Sequence, residues 1–102
     1  MANWSVIGTG IGDVEGKNFG VNLDTDTKKW TAGGGSVEAF FATKSGTFKV
    51  VGIPENGTQF VNPAGKEVAF FTALNGSSAV GSTGKGRSSE RGVTFNWKLD
   101  SK

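Results

Sequence analysis

The chain has 102 residues, among them 17 Gly, 8 Phe and 3 Trp, and it contains no Cys, His or Tyr. A length near 100 fits one domain, residues 1–102, able to bury a core without metals or disulfides. The missing cysteines exclude a disulfide framework, a thiolate nucleophile and a cysteine-based zinc site, and the missing histidine removes the usual general base and metal imidazole.

Eleven basic against nine acidic residues leave a net charge of +2, and the excess is unevenly spread. Residues 1–26 hold four acids against Lys17, a net of −3, whereas residues 27–102 hold ten basic and five acidic residues, a net of +5. Such near-balance disfavours a nucleic-acid partner, which calls for a basic stripe. The start, Met1-Ala2-Asn3-Trp4-Ser5, has no basic and apolar leader, and no apolar run approaches the ~18–20 residues of a membrane helix, so the default expectation is a cytoplasmic protein without membrane contact. Three Asn-x-Ser/Thr triplets, at Asn3, Asn56 and Asn75, read as turn chemistry in that setting.

Taken in chain order, the first expected strand is 3–9, where Trp4 and Val6 share a face. The run Gly8-Thr9-Gly10-Ile11-Gly12-Asp13 has the spacing of a dinucleotide loop, but Val14-Glu15-Gly16-Lys17 follows without helical period, so it reads as a glycine-rich hairpin or bulge. Over 18–24, Phe19, Val21 and Leu23 alternate with polar or small residues. Lys17–Val21 resembles the aromatic RNA-binding strand of cold-shock domains, without their second aromatic strand and its histidine. Asp24-Thr25-Asp26-Thr27 is a turn; as a calcium loop it fails, because position 12 counted from Asp24 is Gly35. Strand 28–32 carries Trp30 just before Gly33-Gly34-Gly35, a setting for an exposed ring that stacks on a sugar or small molecule.

Strands 36–43 and 66–74 carry Phe40-Phe41 and Phe70-Phe71. Adjacent strand residues face opposite ways, so one ring of each pair is expected outside the core, as an oligomer interface, a ligand groove or a surface covered by a loop. Ala39–Thr47 matches Ala69–Ser77 weakly at a spacing of 30, a possible hairpin duplication. Strands at 46–53 and 58–62 are set off by turns at Lys44-Ser45-Gly46, Glu55-Asn56-Gly57 and Asn62-Pro63-Ala64-Gly65, and a weak ninth strand is placed near 78–82 after Asn75-Gly76. Gly81–Gly92 reads as a flexible basic loop in which Lys85, Arg87 and Arg91 could hold a phosphate or carboxylate. The last strand, 92–99, has the clearest pattern: Val93, Phe95, Trp97 and Leu99 inward, to be joined by Trp4, Val6, Phe19, Val21 and Leu23. Its Val93–Lys98 portion resembles the strands of avidin-type barrels.

The expected fold is therefore all-β, a small antiparallel meander of seven to nine short strands, closed as a barrel in preference to a sandwich. Asp13, Glu15, Glu38, Glu55, Glu67 and Glu90 are scattered among turns and solvent-facing positions, so no catalytic residue, metal site or cofactor is assigned. The leading expectation is a non-catalytic assembly module, a homo-oligomer joined through Phe40, Phe41, Phe70 and Phe71. The alternative is a module binding a small molecule or glycan at a barrel mouth, or between Trp30 and Lys85, Arg87 and Arg91 of the 81–92 segment.

Overall fold

The computed structural model describes residues 3–52 and 56–102. Eight strands follow one another around a closed antiparallel barrel: β1 (Asn3–Gly10), β2 (Asn18–Asp24), β3 (Lys29–Gly33), β4 (Ser45–Val51), β5 (Gly57–Val61), β6 (Glu67–Thr72), β7 (Thr83–Ser88) and β8 (Val93–Ser101). Each strand pairs with its neighbour in sequence, and β8 returns to β1, with Val6 opposite Leu99 and Gly8 opposite Trp97. The all-β meander read from the alternation is the fold, and closure leaves no open sheet edge. Ile53 at the end of the expected 46–53 strand, and Glu55 in the expected Glu55–Gly57 turn, lie outside the described residues; Gly57 begins β5. Among the described residues no helix is long and apolar enough to cross a membrane.

The core follows the period-2 pattern. Val6, Phe19, Val21, Leu23, Phe95, Trp97 and Leu99 are all buried, while Trp4 and Val93 pack against the core from half-buried positions. The interior is a chain of rings: Trp30 to Phe60 at 4.9 Å, Phe60 to Phe71 at 4.5 Å, Phe71 to Phe95 at 5.1 Å and Phe95 to Phe19 at 5.0 Å. A small barrel has room for such rings only where facing positions are small. A Cβ on Gly8 would stand 2.2 Å from the Phe19 ring, and one on Gly86 would stand 2.4 Å from Phe95. Two indoles also complete the sheet. Trp30 of β3 crosses Gly46 of β4 and donates its Nε1–H to the Val61 carbonyl of β5 at 3.0 Å. Trp97 of β8 crosses Gly84 of β7 and donates to the Thr72 carbonyl of β6 at 2.9 Å.

Three segments differ from the sequence reading. Residues 36–43 form no strand: Val37–Ala39 is a 3-10 turn, followed by Phe40 in a helical conformation, with the Phe40 and Phe41 amides both donating to the Val37 carbonyl at 2.9 and 2.8 Å. That geometry releases adjacent residues from alternation and lets both rings enter the core, each with no exposed surface. Half of Gly81–Gly92 is not a loose loop but β7, whose inward positions are Gly84, Gly86 and Ser88. Its period of 2 is invisible in hydropathy because the inward residues are small, and the neighbouring rings Trp97 and Phe95 fill the space instead. The weak ninth strand near 78–82 is part of the turn between β6 and β7.

The matched segments 39–47 and 69–77 accordingly adopt different structures, one a 3-10 turn running into β4 and the other β6 running into a turn, so the similarity is not a repeated hairpin. Trp30, expected as an exposed platform, is buried in the ring stack with its indole N–H used by the sheet.

Candidate functional site

In an antiparallel meander all odd strands start at one end of the barrel, so the chain distinguishes two mouths. The end reached by the β1–β2, β3–β4, β5–β6 and β7–β8 connections is plugged. There Phe40 and Phe41 pack on Phe19 at 4.6 and 4.9 Å, and Phe40 lies 5.9 Å from Phe95. The β7–β8 turn latches this plug: the Glu90 carboxylate accepts from the amides of Ala42 and Thr43, both at 3.0 Å, and from the Thr43 hydroxyl at 2.7 Å. The Ser88 hydroxyl donates to the Phe40 carbonyl, and Arg91 Nε donates to the Glu38 carbonyl at 3.2 Å. Partial burial works to raise the Glu90 carboxyl, but the Thr43 hydroxyl, the two amides and the Arg91 charge outweigh it and hold the group below the usual carboxylate range. Glu67 is lowered in the same way: partial burial opposes the shift, and Ser89, Gln59 and Arg87 prevail. The hydrogen bond and charge of Lys44, 2.7 Å away, lower Glu38.

The other end stays open. A recess of about 190 Å³ lies there, walled by Trp4, Leu23, Phe48, Val50 and Leu74. Four separate stretches supply those side chains, and the turn after β6 closes one side by folding Leu74 onto the barrel, where it is buried. That turn is held by its own polar groups and by the residue before β5: the Asn75 amide donates to Ser78 Oγ at 3.1 Å, the Ser77 amide to Asn75 Oδ1 at 2.8 Å, and the Ala73 amide to the Asn56 carbonyl at 2.8 Å. Polar atoms at the recess are few. The buried Thr58 hydroxyl donates to the Leu74 carbonyl at 2.6 Å, which leaves its oxygen as an acceptor. Thr25, Asn75 and Lys28 complete the rim, and Lys28 is the one charged side chain among the described lining residues.

The only two described non-glycine residues with positive φ, Lys28 (60°) and Ala73 (66°), both belong to the turns at this open end. A side chain in that left-handed region costs roughly 1–2 kcal/mol, and strain of this kind gathers at functional sites. Of the large apolar residues left exposed among those described, Val50 and Val80 lie at this end as well, and Ile7 lies on the outside of β1. A larger concavity of about 740 Å³ runs along the outside of β7, β8 and β1, over Thr9, Lys85, Asn96 and Lys98. It is more open than the recess and is bordered mainly by outward polar and charged side chains, so the recess is the better candidate for an apolar guest.

The residues singled out from the sequence do not converge. Lys85 and Arg87 point outward from β7, Arg91 sits in the β7–β8 turn at the plugged end, and Trp30 is inside. The four Phe rings form no outward patch. Phe40, Phe41 and Phe71 are in the core, and Phe70, on the outer side of β6, is covered by the Arg87 guanidinium 5.2 Å from its ring and lies over Gly57. Self-association through an aromatic face therefore has no exposed ring to use. Glu55 lies outside the described residues, and among the described ones no three acidic side chains gather as a metal site. Sequence reasoning missed Lys28, Phe48, Val50, Thr58 and Leu74 as a group; the alternation over Phe48 and Val50 marked a strand, but only closure of the barrel shows that its end forms a mouth. Compared with known proteins, the chain matches no family model, no curated protein and no solved structure.

Proposed function

We propose that this barrel is a non-catalytic binding module that holds a small, mostly apolar molecule in the recess at its open end. The observation that carries this reading is the contrast between a mouth filled by two phenylalanines and a mouth left as an apolar cavity of about 190 Å³. Cavities of about 150 Å³ lined by apolar side chains take up benzene, so the recess suits a single ring or a short chain of similar bulk. The apolar walls give affinity, and Thr58, Asn75 and Lys28 provide a small set of polar atoms to orient the guest. No carboxylate is among the described lining residues, which favours binding over hydrolytic chemistry.

Val50 supplies the test, because it lines the recess yet is 54 % exposed, so a larger side chain there can fill the cavity without entering the core. Ligand-observed NMR with small aromatic probes should give saturable binding to the wild-type chain. Val50→Trp should weaken it at least about tenfold while thermal unfolding stays near the wild-type temperature. Equal binding by both proteins would move the site elsewhere.

A further inference from the structure

We infer that the guest of the open-end recess is a small organic acid, its ring or chain inside and its carboxylate at the rim beside Lys28; this rests on the mouth-binding reading above. Lys28 is the sole charged residue among the described lining groups, and its ammonium stands 5.9 Å from the ring centre of Phe48, a wall of the same recess. A second ammonium, that of Lys102, lies 4.7 Å from the ring centre of Trp4, another wall residue. Asp24, which opens the Lys28 turn, is already engaged. Asp24 Oδ1 accepts from the amides of Asp26 at 2.9 Å and Thr27 at 3.2 Å, and these backbone bonds hold its carboxyl below the ordinary value.

The backbone adds an independent sign. Lys28 has φ of 60° at the close of the β2–β3 turn, where its amide donates to the Asp24 carbonyl at 2.8 Å. Glycine is the favourable residue at such a position, and a lysine there accepts strain in return for a charge at the mouth. An ammonium beside an apolar recess with acceptor and amide groups nearby matches a monocarboxylate with an apolar tail. A cation would meet repulsion at the rim, and a neutral guest would gain nothing from the ammonium.

Benzoate, benzyl alcohol and benzylammonium share one ring and differ in the head group, so their titration by ligand-observed NMR at low ionic strength isolates the charge. Benzoate should bind about three- to tenfold more tightly than benzyl alcohol, with benzylammonium the weakest. Lys28→Gln, in an exposed turn, should remove the advantage of benzoate and leave the alcohol unchanged, and Lys28→Arg should keep it. Equal affinities for benzoate and the alcohol, or unaltered benzoate binding by Lys28→Gln, would overturn the acid assignment and leave mouth binding standing. Failure of all three probes to bind the wild-type chain would overturn both.

Discussion

One end of this barrel is closed by hydrocarbon and latched by charge, whereas the other is bordered by hydrocarbon and left with a single lysine among its described lining groups. At the plugged end, Phe40 and Phe41 extend the core, and Glu38, Glu67 and Glu90 all accept hydrogen bonds that hold neighbouring loops in place. At the open end, Trp4 is half-buried, Phe48 lies at the edge of the core, and two residues sit in strained backbone conformations. The contrast is one of packing: one mouth is filled and latched, and the other leaves a space and carries the strained backbone.

Cutting into the aromatic filling should produce the largest effect. Phe40→Ala should cost about 3–5 kcal/mol, because the ring is fully buried against Phe19 and Phe95. Phe48→Ala should cost less, at the low end of about 3 kcal/mol, since that ring borders a space that is already open. Urea denaturation of the two variants measures the difference, and similar losses would erase the distinction between the ends.

The latch should give an intermediate effect. Glu90→Ala removes the acceptor of three hydrogen bonds at a partly solvated site, for a loss of about 1 kcal/mol. Hydrogen exchange should quicken at the Ala42 and Thr43 amides while Ser77 and Ala73 at the open end keep their protection. Acid should act in the same place. Glu38, Glu67 and Glu90 are each lowered from an ordinary value of 4.5, so their contribution is complete above that pH and is lost as pH falls through the depressed values. Exchange followed down from neutral pH should therefore loosen residues 34–44 ahead of residues 73–82.

The smallest effect has the opposite sign. Ala73→Gly and Lys28→Gly should each stabilise the barrel by about 0.5–1 kcal/mol by relieving a left-handed side chain, read as a raised unfolding midpoint. Lys28→Gly should at the same time lose the preference for benzoate, so the two readouts part company only if strain is retained there for binding.

The legible parts of this fold were those where hydropathy itself alternates. β2 and β8 announce themselves because Phe19, Val21 and Leu23, and then Phe95, Trp97 and Leu99, occupy every second position. β7 does not, since a strand whose inward residues are Gly84, Gly86 and Ser88 buries its neighbours' rings in place of its own side chains. Phe40-Phe41 misled for the reverse reason: two adjacent apolar residues suggest two covered faces, when a single 3-10 turn can deliver both to one core. The mouth stayed hidden because Trp4, Leu23, Phe48 and Leu74 are brought together by barrel closure and not by local spacing.

The two indoles that cross Gly46 and Gly84 have a spectroscopic consequence. Trp30 and Trp97 are sealed inside with their N–H groups bound to carbonyls, whereas Trp4 is half-buried and forms a wall of the recess. Emission excited at the red edge of tryptophan absorption therefore divides into a fixed, quencher-protected component and one that responds at the mouth. Acrylamide should reach only the second, and a guest entering the recess should shield it. Under the mouth-binding proposal, Trp4 would gauge occupancy against Trp30 and Trp97 as two internal standards.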